Sequence, residues 1–248
     1  MPDTEQSKPN DFPRLFWKKA NIVYERLLLI VLIILLLIVM YCIYDTWYVY
    51  DHATDKSLYR YKPSAETPDA VDESPITDDY VAWLTIDDTN IDYPVMQGTD
   101  NTKYLNLDPY GQYSLSGSIY LDSRNSKDFS DDYSLVYGHH MEYGKMFGAL
   151  DDFLDESYLK AHTDGKLIVG RKTEAYWPLK VFASMRASAK DNLVFAPTEN
   201  EGVKIYIEQN AEVYVEFPEY SDKRILALST CSEDDSAERI LVFCYICD

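Results

Sequence analysis

Two stretches of this sequence hold residues whose types and order could do chemistry. A strand-like run, RILALSTC, ends in Ser229, Thr230 and Cys231; the acidic stretch SEDDSAE follows, and a second strand-like run, RILVF, opens at Arg239. Upstream, SLVY leads to Gly138 and then to His139 and His140 in tandem, in a chain with only four histidines. A cysteine at a strand end, beside a loop, is placed to be exposed, and its thiolate is the reactive species. A histidine folded beside it would stabilise that thiolate and move protons, so Cys231 and His139 together would make a nucleophile and an acid/base for acyl transfer. The residue types alone leave another reading open, an inert thiol and a surface histidine. Cys244 and Cys247 lie in or beside the last apolar run, where a cysteine packs as a small hydrophobe. Their C-x-x-C spacing comes with no second cysteine pair and no helix to lower a thiol pKa, so packing is expected there rather than redox or zinc chemistry.

Short apolar runs must position these residues. Nine of them follow residue 79: VAWLTI, IDYPVM, SGSIYLD, SLVYGH, KLIVGR, LKVFASM, AEVYVEF, RILALSTC and ERILVFCYI. Turn residues separate them, which points to a mainly β domain, a barrel or a sandwich. The tyrosine content is high, at 22 residues, and reads as strand propensity and packing rather than a binding cage. Residues 145–160 carry Met146, Phe147, Leu150, Phe153, Leu154 and Leu159 at close to helical spacing, and residues 203–210 fit either a helix or a further strand. Acidic groups at Asp128, Asp131 and Asp132, and at Asp151, Asp152, Asp155 and Glu156, lack the ligand spacing and glycine of a calcium loop and read as solvated surface. No metal or cofactor site is expected.

The chain's 248 residues allow one sizeable domain with appendages. Its net charge of -19 excludes a nucleic-acid partner, which would require a dense cationic face. Of 23 Lys and Arg and 42 Asp and Glu, residues 1–44 hold five and four, so the acidity lies beyond residue 44. Cys42 lies within an apolar run, and the remaining three cysteines cannot all pair, so there is no disulfide framework. Residues 27–44, LLLIVLIILLLIVMYCIY, are free of charge, Pro and Gly, and long enough for a single membrane span in contact with lipid. No small-residue cleavage site follows; Asp45, Trp47, Tyr48 and Tyr50 do, so an uncleaved anchor is expected. Arg14, Lys18, Lys19 and Arg26 precede the span and Asp45, Asp51 and Asp55 follow it, which places the N-terminus in the cytoplasm and the rest outside. The expected organisation is a cytoplasmic segment over 1–26, a transmembrane helix over 27–44, a juxtamembrane stalk over 45–79 with a short helix near 51–61, and an extracellular domain over 80–248.

The run YGHHM, followed by Met146, Phe147 and Leu150, resembles the catalytic-histidine segment of class B sortases, and LSTC with RILV downstream resembles that family's nucleophile and arginine strands. IDYPVMQGTDNTKYL and GSIYLD match as well, so the similarity runs from about residue 79 to the C-terminus. Histidine comes before cysteine, the reverse of papain-like peptidases. The resemblance implies a β-barrel of about eight strands with a few short helices, and a cysteine transpeptidase with Cys231 as nucleophile, His139 as acid/base and Arg239 as oxyanion stabiliser. His140 occupies a position that varies in the family, and SEDDSAE is short for class B. It further implies partners: secreted proteins bearing a C-terminal sorting motif, and an amine of a peptidoglycan precursor or, in pilus polymerisation, a pilin lysine. A membrane-tethered module that only binds is the competing reading; it would keep Cys231 and His139 apart.

Overall fold

A computed structural model describes residues 12–51, 56–64, 66–198, 202–231 and 238–247. The chain divides into two units, Met1–Val49 and Tyr50–Asp248. The first is a helix, α1 (Phe12–Asp51), whose stretch Phe16–Tyr48 is long and apolar enough to cross a membrane. It continues past the uncharged 27–44 in both directions because residues 14–51 hold no Pro or Gly, and Pro13 falls in the first turn, where its missing N–H breaks no hydrogen bond.

The second unit is a closed barrel. Its strands are β1 (Tyr80–Ile86), β2 (Asp92–Met96), β3 (Ile119–Leu121), β4 (Tyr133–Met141), β5 (Lys145–Met146), β6 (Asp164–Val169), β7 (Ala175–Ser188), β8 (Val213–Tyr214), β9 (Arg224–Cys231) and β10 (Glu238–Ile246). Eight of them pair in the order β10-β9-β4-β3-β2-β1-β6-β7, and β7 pairs back with β10 to close the ring. The pairs β2–β3 and β4–β9 are parallel and the other ring pairs antiparallel. The expected eight-stranded barrel is therefore present, and each of the nine apolar runs contains a strand. The two-residue β5, which pairs with the end of β4, lies inside the segment expected to be helical.

The strands read as continuous apolar runs because both of their faces are covered. Leu84, Val136, Leu167, Val181, Leu226, Leu228 and Val242 join one core cluster, while their neighbours Trp83, Leu135, Ile168, Phe182, Ala227, Leu241 and Phe243 join another. The second cluster also takes in Leu58, Val71 and Ile76, so the packed core reaches back to residue 58, within a 3₁₀ turn at Lys56–Tyr61. After β5 the chain forms a 3₁₀ stretch, Phe147–Leu154, and then α2 (Glu156–Ala161), which Asp155 caps by accepting from the amides of Ser157 and Tyr158. Between β7 and β8 lie α3 (Asn192–Phe195) and α4 (Val203–Asn210); the latter settles the helix-or-strand alternative in favour of a helix.

Candidate active site

Strands β4 and β9 run side by side, and their register puts His139 directly opposite Cys231. Neighbouring strands lie about 4.8 Å apart, so two residues remote in sequence become adjacent at the same end of the sheet. Gly138, just before His139, is required by close approach. A Cβ there would stand 2.3 Å from Ile119 Cδ1 and 2.8 Å from Phe147 Cγ.

His139 is buried, and its Nε2 lies 2.7 Å from the carbonyl oxygen of Leu105. A carbonyl can only accept, so Nε2 carries the hydrogen and Nδ1 is the nitrogen left to take up and release a proton. Leu105 ends a 3₁₀ turn, Lys103–Leu105, that is itself braced. Asp100 accepts from the amides of Thr102 and Lys103, and Asp79 accepts from Lys103 Nζ at 2.6 Å and from the Tyr104 hydroxyl at 2.9 Å. Gly117 packs against the same carbonyl, where a Cβ would stand 2.4 Å from Leu105 O. Successive strand residues face opposite ways. His140 accordingly turns outward and binds both carboxylate oxygens of Asp151, at 3.0 and 2.9 Å. The tandem histidines are thus distinguished: one is buried and braced by the backbone, the other is exposed and bound to Asp151.

Arg239 is the second residue of β10, opposite Ala187 of β7. The amide of Ile240 donates to Thr230 Oγ1 at 3.1 Å, tying the start of β10 to the residue before Cys231. The last β9–β10 pair is Ser229 with Leu241, and Cys231 and Arg239 each stand two residues beyond it. The guanidinium carbon of Arg239 lies 5.4 Å from the centre of the Phe195 ring, and its Nε is buried with no hydrogen-bond partner among the described residues. Glu233, Asp234 and Asp235, candidate salt-bridge partners for Arg239, lie outside the described residues.

Beside these residues is a polar network that the sequence did not reveal. Asp122 is fully buried and accepts from Arg124 Nε and Nη2, from Asn101 Nδ2 at 2.9 Å and from the Tyr137 hydroxyl at 3.1 Å. Burial pulls its carboxyl upward, but the hydrogen bonds and charge of Arg124 outweigh this and hold it below the usual carboxylate range. Burial, reinforced by the Asp122 charge, pushes the Tyr137 phenol far up, so it stays a neutral donor. The available signal was a D-x-R spacing at the end of β3, too common a pattern to single out. Cys244 is fully buried, and desolvation raises its thiol far above the ordinary range. Asp131 accepts from Asn125 and Ser126, and Asp128 from the amide of Ser130. Among the described residues no three His, Cys, Asp or Glu converge as metal ligands.

A sortase-domain family model matches residues 84–246. Sortase B of Staphylococcus aureus is 31% identical over 177 residues, 67% of this chain and 70% of that one. Sortase B of Listeria monocytogenes is 33% identical over 167 residues, 65% of this chain and 66% of that one, slightly under two thirds of its length. Among solved structures, a Streptococcus pyogenes class B sortase involved in pilus biogenesis superposes with a TM-score of 0.62 at 38% identity, covering 68% of this chain and 93% of that one.

Proposed function

We propose, since the chain belongs to the sortase family, that it is a cysteine transpeptidase in which Cys231 is the nucleophile, His139 the acid/base and Arg239 the oxyanion donor. The observation that carries this reading is the β4–β9 register, which sets His139 beside Cys231 while β10 brings Arg239 to the same end. The Cys231 thiolate attacks a backbone carbonyl in the C-terminal sorting motif of a secreted protein. His139 gives the proton on Nδ1 to the leaving amine, the C–N bond breaks, and a thioester remains. An incoming amine attacks the thioester, His139 Nδ1 takes its proton, and the thiolate leaves. Arg239, always charged and with a rigid donor fork, donates to the oxyanion in both steps.

In this reading residues 1–26 are cytoplasmic, 27–44 span the membrane and the chain from 45 onward is extracellular, following the basic flank before the apolar run; of the expected stalk over 45–79, Leu58, Val71 and Ile76 pack into the core of the domain. The tether raises the enzyme's effective concentration where exported substrates emerge. The likeness to a relative involved in pilus biogenesis favours a second choice of acceptor, a pilin lysine in place of a cell-wall peptide amine.

The test uses the full-length protein in detergent micelles with a library of sorting-motif peptides and either a peptidoglycan-type peptide amine or a lysine side-chain amine. Ligation with release of the C-terminal fragment is expected, together with a thioester adduct detectable by mass at Cys231. Equal turnover by Cys231→Ala would refute the mechanism, and the preferred amine decides between the acceptors.

A further inference from the structure

We propose that Arg124 is a positioning residue for Arg239, acting through the Phe195 ring on which the Arg239 guanidinium lies; this rests on the oxyanion role given to Arg239 above. The Arg124 guanidinium binds in two directions. Nε and Nη2 hold the two oxygens of Asp122 at 2.9 and 2.7 Å, and Nη2 also donates to the carbonyl oxygen of Phe195 at 2.8 Å. Its planar fork fixes those partners relative to one another, which a point charge does not do. One end of the bridge is immobile, because Asp122 is fully buried and is also held by Asn101 and by Tyr137 of the histidine-bearing strand.

The other end requires this support. Helix α3 is a single turn, too short to be stable by itself. It is held by Asp191 capping the amide of Leu193, by the Tyr133 hydroxyl on Val194 O, and by Arg124 on Phe195 O. Arg239, in turn, has a buried Nε with no partner among the described residues, and its guanidinium lies over the aromatic face 5.4 Å away, the contact that orients it in this proposal.

A merely structural ion pair would explain loss of stability in a variant but not a loss coupled to Arg239. Arg124→Lys keeps a charge at Asp122 and gives up the fork, so it should melt near the wild-type temperature yet lose activity. In the full-length protein, Arg124→Ala should lower kcat/KM by about a hundredfold, the size of a displacement of about 1 Å at a reacting centre. Phe195→Leu should lose activity too, and Arg124→Ala combined with Arg239→Ala should be no worse than Arg239→Ala alone. The amides of α3 should exchange faster with deuterium in Arg124→Ala. Losses that multiply in the double variant, full activity in Arg124→Lys, or wild-type exchange in α3 would overturn the proposal. If the wild-type protein turned over no peptide, the transpeptidase reading would fall, and the exchange measurement would still decide whether Arg124 holds α3.

Discussion

Replacing Gly138 with Ala places one methyl group where three atoms already stand. Its carbon would sit 2.3 Å from Ile119 Cδ1 and 2.8 and 2.9 Å from Phe147 Cγ and Cδ2. Ordinary carbon contacts lie near 3.8 Å, so the isoleucine terminus must retreat by about 1.5 Å and the ring by about 1 Å. Neither has room, since Ile119 is 1% exposed and Phe147 is 0% exposed. Over-packing of this kind costs about 1–3 kcal/mol, and each kcal/mol lowers the melting temperature of a domain this size by about 2–4 °C. The easier relief is a shift of β4 itself, which carries His139 in the next position, and an error of about 1 Å there is expected to lower kcat/KM about a hundredfold. The assay is peptide ligation by the full-length chain in micelles, with thermal melts in parallel. Ile119→Val removes Cδ1, the atom in closest conflict, so Gly138→Ala with Ile119→Val should regain part of both losses. A double variant no better than the single one, or a single variant with wild-type activity and melting, would refute the steric account.

Three further outcomes follow from the same geometry. Asp122→Asn weakens the buried acceptor shared by Arg124, Asn101 and Tyr137, but the Arg124 charge it leaves is 43% exposed and stays solvated, so stability should fall by about 1–3 kcal/mol in chemical denaturation. Because the Asp122 carboxyl titrates below its unfolded value of about 3.9, its contribution is present above that pH and fades as pH falls further; Asp122→Asn should lack this part of the acid limb in melts taken from pH 6 to 2. Cys244, buried and with a raised thiol pKa, should remain unmodified by iodoacetamide at pH 8 in the native protein and react only on unfolding, as read by peptide mass; rapid native labelling would contradict its burial. His140→Ala removes an exposed contact with Asp151 and should leave kcat/KM within about threefold of wild type and stability within about 1 kcal/mol; a loss comparable to that of His139→Ala would reverse the roles assigned to the two histidines.

The apolar runs were enough to place nine strands and, with the family resemblance, an eight-stranded barrel, because turn residues interrupt every run. Their register was not legible. With both faces covered, β1 is buried at all seven positions, and no polar alternation marks which residues oppose which. That is why the adjacency of His139 and Cys231 rested on resemblance until the pairing of β4 with β9 supplied it. The choice of His139 over His140 became physical only with the Leu105 carbonyl, a backbone atom that no side-chain pattern announces. Residues 145–160 show the limit of spacing arguments: Met146 has a φ of 50°, the chain enters a short hairpin, and the apolar side chains that suggested one helix are shared among a strand, a 3₁₀ stretch and α2. Arg124 and Phe195 lie 71 positions apart, and their contact runs through a main-chain oxygen, so nothing in composition or period pointed to it.

The closure of the ring also orders events in time. β10 follows every other strand along the chain and is the one inserted between β9 and β7. Until it arrives, those two strands present unpaired edges and Arg239 is not yet at the Cys231 end of β9. Contacts spanning this much sequence form slowly. A chain delivered from its N-terminal end therefore passes through an interval in which Cys231 is already present but the barrel is open, and the assembly of the proposed site and the protection from edge-to-edge association begin with the same step.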